Sequence, residues 1–295
     1  MNVVTLTSVT KTYGKTDVVS DLSLNIPHGA VYGFIGPNGA GKSTTMKMLL
    51  GLIAPSSGSI SLFGEQLTKT NRGKFVAAIG SMIEEPSGYA HLTAVENLKV
   101  VQSLLGFADE NIDWALDIVG LNEARNKKVK AFSLGMKQRL GIALAICRKP
   151  SLLVLDEPTN GLDPYGIEEI RQLIVRLATQ EEVTVMVSSH VLAELEKIAS
   201  HLAIINKGKL VFEGARDELI AQHSPAVLIR THDIEQALSA IPHSTPIHGG
   251  IEVAQVTDAE IPALCQALID ARIGFYEVSR PHQSLESIFM EMTKE

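Results

Sequence analysis

The hydrophobic rhythm of the chain changes several times. Apolar and polar residues alternate over 3–9 and again over 22–26, the two-residue period of strands with one buried face, and the pair reads as antiparallel. A short apolar run at 31–35 predicts a buried strand, and apolar residues at helical spacing over 44–52 predict a helix. The turn Pro55-Ser56-Ser57-Gly58 leads into a strand at 59–63. From 85 to 148 the period is helical, over 94–105, 114–119 and 135–147, which predicts a helical insert in an α/β domain. Residues 152–155 are apolar without a break, as in a central parallel strand buried on both faces. A helix over 165–178, a buried strand over 183–187, a helix over 191–199 and a hairpin around Asn206-Lys207-Gly208 follow.

Beyond about residue 215 the order is strand (226–230), helix (233–240), strand (251–256), helix (258–271), strand (274–278) and helix (284–292). That order fits a small ferredoxin-like α+β module. The predicted organisation is therefore an α/β domain over 1–215, with the helical insert at about 85–148, and a C-terminal accessory domain over 216–295. The apolar stripe of the last helix fits a core position better than a partner site.

Composition narrows the function. With 45% hydrophobic and 20% charged residues, the 295-residue chain has the make-up of a folded globular protein. A net charge of −7 argues against nucleic acid as a partner. Both cysteines, Cys147 and Cys265, lie in apolar segments and read as buried, reduced thiols, which fits the cytoplasm. The start Met1-Asn2-Val3-Val4-Thr5-Leu6 has no basic region before an apolar core, so no signal peptide is expected. The longest apolar candidate, 140–147, is far short of the ~20 residues that span a bilayer. The chain is expected not to cross a membrane itself, which leaves open its docking on a protein that does.

The densest chemistry is Gly36-Pro37-Asn38-Gly39-Ala40-Gly41-Lys42-Ser43-Thr44, which fits the phosphate-loop pattern G-x-x-x-x-G-K-[ST]. It lies between a predicted strand and a predicted helix, the setting the motif requires. Glycines let backbone N–H groups close around phosphate oxygens, and the helix aims its positive end at the anion. Lys42 supplies a mobile charge and Ser43 a hydroxyl for Mg²⁺.

Other segments add to the loop. The apolar strand at 152–155 ends in Asp156-Glu157, where one carboxylate can hold Mg²⁺ and the next can polarise an attacking water. In Phe132-Ser133-Leu134-Gly135-Met136-Lys137-Gln138-Arg139, Ser133 is placed to cap a helix, and the helix start is a second anion site or a plain capped helix. His190 follows a strand and the pair Ser188-Ser189, facing the ligand crevice of an α/β sheet or serving only the fold. Tyr13, in a loop Lys11-Thr12-Tyr13-Gly14, is either a base-stacking aromatic or a surface tyrosine.

These segments, in this order over 1–215, resemble the nucleotide-binding subunit of ATP-binding-cassette (ABC) transporters, a P-loop NTPase fold with a mixed central sheet. The lone cassette with a C-terminal tail is similar to bacterial drug and peptide exporters, close to bacitracin and lantibiotic export and immunity ATPases. The resemblance implies ATP and Mg²⁺, a separate transmembrane permease, and a second nucleotide-binding subunit, the same chain or a paralogue. It implies a location on the cytoplasmic face of the membrane. It assigns Glu157, His190 and Lys42 to hydrolysis. It assigns Gly36, Asn38, Gly39, Ala40, Gly41, Lys42, Ser43 and Thr44 to the phosphates, Tyr13 to adenine, and Ser43, Asp156 and Glu84 to the metal. Ser133 and Gly135 would face the ATP of the opposite subunit, and Asp163, in Gly161-Leu162-Asp163, would touch that subunit. The stretch from Glu84 to Tyr89 would carry motion to the permease. Two positions depart from the family pattern: Leu134 replaces the middle glycine of the signature and is expected to point away from nucleotide, and Glu84 stands at a glutamine position. A non-transport ABC ATPase and a nucleotide-dependent regulatory module remain alternative readings.

Overall fold

In the computed structural model, which describes residues 1–84, 88–222, 226–254, 256–280 and 284–292, the alternating N-terminal stretch forms the long antiparallel strands β1 (Asn2–Tyr13) and β2 (Thr16–Pro27). Val4, Leu6, Val9, Leu22, Leu24 and Ile26 bury one face of the pair. Strand β3 (Val31–Ile35) leads through the glycine-rich loop into helix α1 (Lys42–Leu49). Strands β4 (Ser57–Leu62) and β5 (Glu65–Gln66) extend the first sheet to the order β2-β1-β4-β5. Helix α2 (Arg72–Phe75) and strand β6 (Ile79–Met82) precede the helical insert, made of α3 (Ala94–Leu105), α4 (Glu110–Ile118) and α5 (Leu134–Ile146). Thr93 and Glu96 close a reciprocal capping box at the start of α3, which satisfies two otherwise orphan N–H groups.

Strand β7 (Leu152–Leu155), helix α6 (Pro164–Gln180), strand β8 (Thr184–Ser189), helix α7 (Leu192–Glu196) and strands β9 (His201–Asn206) and β10 (Lys209–Ala215) complete the first unit, which runs from Met1 to Arg216. The second sheet has the order β10-β9-β3-β8-β7-β6 and is parallel except where β10 turns back on β9. All four residues of β7 are fully buried. This explains the unbroken apolar run, because a strand covered on both faces has no solvent side for polar residues to occupy. The carboxyl ends of β3, β8 and β7 lie side by side, where ligands bind in open α/β sheets.

Helix α8 (Arg216–Gln222) precedes strand β11 (Val227–Thr231), helix α9 (Ile234–Ala240), strands β12 (Ser244–Ile247) and β13 (Gly250–Val253), helix α10 (Ile261–Asp270), strand β14 (Phe275–Ser279) and helix α11 (Leu285–Met292). The second unit begins at Asp217. Its sheet is antiparallel, in the order β12-β13-β11-β14, and this is the split βαβ arrangement of ferredoxin-like modules. Val227, Ile229, Ile251 and Val253 pack with Ala237, Ile241 and Leu268 in its core.

Several local expectations are corrected. Strand β12 was not expected, because Ser244-Thr245-Pro246-Ile247 lacks an alternating pattern and carries a proline. It is held by pairing with β13 across the two-residue turn His248-Gly249, where Gly249 takes φ +77°. Tyr13 is not in a loop but closes β1, opposite Thr16. Ser188 and Ser189 belong to β8, and the helix expected over 191–199 is the short α7. Cys147 is buried, and that burial pushes its thiol up to about 11, whereas Cys265 is only half-buried. Residues 85–87, inside the expected coupling stretch, lie outside the described residues. Among the described residues no helix is long and apolar enough to cross a membrane.

Two outcomes test this packing. Leu153→Ala should lower the stability of the first unit by about 2–5 kcal/mol, read as a lower urea midpoint, while Leu104→Ala, 78% exposed, should stay within ~0.5 kcal/mol. Iodoacetamide at pH 8 should alkylate Cys265 in the native chain and spare Cys147, as intact-mass and peptide mass spectrometry would reveal.

Candidate functional site

The site is built around the turn between β3 and α1. Gly36 passes so close to β9 that an added Cβ would lie 2.6 Å from the carbonyl oxygen of Ile205. Gly41 takes φ +103°, which a Cβ disfavours, and its Cβ would lie 2.8 Å from the carbonyl of Val18. The loop is pinned at Ala40, whose N–H donates to the carbonyl of Pro37 (3.1 Å) and whose own carbonyl accepts from Gly208 (3.1 Å). No side chain caps α1, so the N–H groups of its first turn stay available to an anion. A cleft of about 390 Å³ opens over the loop, and Asn38, Gly39, Gly41, Lys42, Ser43 and Thr44 line it with Glu157 and His190.

Lys42 is only 7% exposed. Its ammonium donates to the carbonyl of Gly36 at 2.7 Å and lies 3.3 Å from Glu157 Oε1. The other carboxylate oxygen, Oε2, is 2.6 Å from His190 Nδ1. An ionised carboxylate only accepts, so Nδ1 carries the proton of that bond. Glu157 thus joins a cation from α1 and an imidazole from the end of β8. Its backbone has φ +49°, a conformation sparsely populated by residues with a Cβ. Asp156, at the end of β7, is buried, and its Oδ1 accepts the hydroxyl of Ser188 at 2.6 Å. The Ser188 oxygen in turn accepts the N–H of Glu157 at 2.9 Å. The Ser189 hydroxyl accepts from the N–H of Val191 (2.9 Å), a tight turn that sets the direction in which His190 leaves the strand.

The remaining predicted residues lie around this centre. Glu84, at φ +66° and with a side chain 68% exposed, is ion-paired with Lys47 of α1 at 2.5 Å. This pair holds the Lys47 ammonium above the usual lysine range, chiefly through the hydrogen bond to Glu84. Glu84, Asp156, Glu157 and Leu134 line a second cleft of about 630 Å³. Tyr13 is half-exposed, and the Lys11 ammonium stands 5.1 Å from its ring centre. Ser133 caps α5 by accepting the N–H of Met136 at 3.3 Å. Leu134 lies against Gly161, and Gly135 lies near Leu162. Asp163 caps α6 by accepting the N–H of Gly166 at 2.8 Å. Ser133, Gly135 and Asp163 do not line the cleft over the loop. Past the undescribed residues, Asn97 of α3 accepts the N–H of Tyr89 at 2.7 Å and ties that segment to the insert.

Sequence reasoning missed Val18, Pro37 and Asn160, which also line the loop cleft, and it missed Lys47 and Ser188. Lys47 had a signal, because four residues after Ser43 it shares that residue's face of the helix. Ser188 had a weaker one, a hydroxyl closing an otherwise apolar strand.

The donor set suits magnesium. Among the described residues no three His, Cys, Asp or Glu side chains gather into a metal cage. The serine hydroxyl of Ser43 and the buried carboxylate of Asp156 are hard oxygens of the kind that hold Mg²⁺ together with substrate phosphates.

Comparisons with known proteins agree with this geometry. The family model described as ABC transporter matches residues 19–160. The bacitracin transport ATP-binding protein BcrA of Bacillus licheniformis is 41% identical over 98% of this chain and 97% of its own length. The lantibiotic transport ATP-binding protein SrtF of Streptococcus pyogenes is 48% identical over 70% of this chain and 88% of its own. Among solved structures, a dimeric ATP-binding cassette in a post-hydrolysis state bound to ADP and Pi superposes with a TM-score of 0.65 at 26% identity, covering 72% of this chain and 98% of that one.

The close approaches at the glycines set an expected outcome. Gly36→Ala and Gly41→Ala should lose binding of a fluorescent ATP analogue while keeping the circular-dichroism spectrum, because each Cβ displaces the loop and leaves the sheets in place.

Proposed function

This chain belongs to the ATP-binding subunits of ABC transporters, and on that premise we propose that it powers export of an antimicrobial peptide or drug through a separate membrane permease. The observation that carries the reading is the double engagement of Glu157 by Lys42 and His190 at the mouth of the glycine-rich loop. Base, cation and phosphate-sensing imidazole come from three separate elements and meet where a terminal phosphate would lie. A carboxylate and a lysine in that relation serve phosphoryl transfer, where positioning and charge neutralisation do most of the catalysis.

The chain is a Mg²⁺-dependent ATPase. The triphosphate draws Lys42 from the Gly36 carbonyl and from Glu157, and the loop's N–H groups close on its oxygens. Gly36, Asn38, Gly39, Ala40, Gly41 and Thr44 shape that cradle. Glu157, released from the ammonium, orients the attacking water and takes its proton. His190 holds the γ-phosphate and registers its loss. Bound Mg²⁺ neutralises charge on the phosphoryl oxygens, and Ser43 and Asp156 would hold it. Glu84, paired with Lys47 at 2.5 Å, would be a third oxygen donor for that ion.

Tyr13 stacks on adenine. A second cassette, another copy of this chain or a related one, completes each site head to tail with its Ser133 and Gly135, and Asp163 meets that partner from the start of α6. Residues 1–215 act as the nucleotide-binding domain, with the insert at about 85–148 facing the permease, and 216–295 as an accessory domain. The assembly works on the cytoplasmic face of the membrane. The match of a bacitracin transport ATP-binding protein over 98% of this chain, and of a lantibiotic transport one over 70% of it, supports peptide export.

Lys42→Ala should abolish ATP binding in calorimetry. Glu157→Gln should keep ATP binding and lower phosphate release by roughly 10²–10⁴-fold, the usual share of a general base. Coexpressed with its membrane permease, the wild-type chain should raise bacitracin or lantibiotic tolerance of a sensitive host, and the Glu157→Gln chain should not. Wild-type turnover by Glu157→Gln would remove the hydrolytic reading, and unchanged tolerance would remove the export reading alone.

A further inference from the structure

Ser188 lies outside the glycine-rich loop and the Asp156-Glu157 pair, yet it touches both acids at the end of β7. We propose that Ser188 is a positioning residue for hydrolysis, fixing the rotation of the Asp156 carboxylate and the backbone that carries Glu157. The inference rests on the hydrolytic reading of the site given above.

Strand β7 ends at Leu155, opposite Val187, while β8 runs on to Ser189 beside Ile35 of β3. The backbone ladder between β7 and β8 therefore stops just before Asp156-Glu157. Glu157 then turns away from the strand with φ +49°. Its N–H needs an acceptor at a place where β8 offers no ladder carbonyl, and the Ser188 oxygen supplies one at 2.9 Å. The hydroxyl proton goes to Asp156 Oδ1 at 2.6 Å, since a carboxylate can only accept.

One hydroxyl thus uses its proton and a lone pair on neighbouring residues with different roles. Committing Oδ1 fixes how the Asp156 carboxylate is rotated, and with it the face that can meet the metal. Accepting from Glu157 N–H holds the left-handed turn that throws the glutamate toward Lys42 and His190. Ser188 is fully buried, so it meets neither water nor nucleotide and acts only through these partners. Its backbone is also in register with Phe34 of β3, the strand that delivers the glycine loop. The same residue therefore keeps the metal-side carboxylate, the base and the phosphate cradle in one frame. Partners behind metal-binding groups commonly carry 10–100-fold of metal affinity or activity.

The test uses the full chain. Phosphate release is titrated with Mg²⁺ at saturating ATP for wild type, Ser188→Ala, Ser188→Thr and Glu157→Gln, with KM for ATP and the melting temperature measured beside it. Ser188→Ala should need roughly 10–100-fold more Mg²⁺ for half-maximal rate and show a lower kcat, with KM for ATP unchanged because the loop keeps its own contacts. Ser188→Thr, which retains the hydroxyl, should restore the Mg²⁺ response. A Ser188→Ala chain with wild-type Mg²⁺ response and kcat, whatever its melting temperature, would overturn the proposal, as would a folded Ser188→Thr chain that restores nothing. If Ser188→Ala does not fold, Ser188→Cys carries the same measurement, since a thiol fills the space and is a weak hydrogen bonder; a wild-type Mg²⁺ response there refutes the proposal equally. Glu157→Gln separates the two levels. If it stops hydrolysis while Ser188→Ala behaves as wild type, only the positioning role falls; if it hydrolyses normally, the reading of the site falls.

Discussion

A lysine ammonium almost wholly withdrawn from water must have negative partners near it, and the architecture around Lys42 follows from that requirement. In this structure the partners are the Gly36 carbonyl and the Glu157 carboxylate. The glycines allow the loop to fold back close enough for the first. The offset between β7 and β8 puts Glu157 where it can be the second. A triphosphate offers more negative charge than either, so the same constraint that holds the resting arrangement together also defines what displaces it. His190 is drawn into this balance through the other oxygen of Glu157.

How much of this could be read from residues alone depends on how local each cause is. The glycine loop, the Ser133 cap and the run of β7 are local, because sterics, one hydrogen bond and two-sided burial each act within a few positions. The Asp156-Glu157 pair was legible because it ends such a run. Ser188 was not, since its partners stand 31 and 32 residues away and only the alignment of β7 with β8 brings them together. The pairing of Lys47 with Glu84 spans 37 residues for the same reason. Tyr13 was misplaced because Thr12-Tyr13-Gly14 carries turn chemistry, whereas cross-strand pairing with Thr16 keeps the tyrosine in β1. Strand β12 escaped notice because tertiary pairing with β13 overrides the weak strand propensity of a segment with a proline.

The two units illustrate different ways of specifying a sheet. The parallel sheet of the first is built on strands such as β7 and β8, buried on both faces, so hydrophobicity alone marks them. The second is antiparallel and covered on one side by α9 and α10, so its strands are short, mixed in character and harder to see. Its function class is correspondingly less apparent from composition, whereas the cassette declares its chemistry through a few fixed side chains.

Two lysine–glutamate pairs near the glycine-rich loop differ in how much water reaches them. Glu84 is exposed and Lys47 partly so, while Lys42 is buried and Glu157 mostly covered. Dissolved ions therefore reach the first pair and hardly reach the second. Raising ionic strength toward a screening length of about 3 Å, as in 1 M salt, loosens the outer contact and leaves the inner one nearly intact. Salinity thus acts as a dial on the Lys47–Glu84 flank of this site without touching its centre.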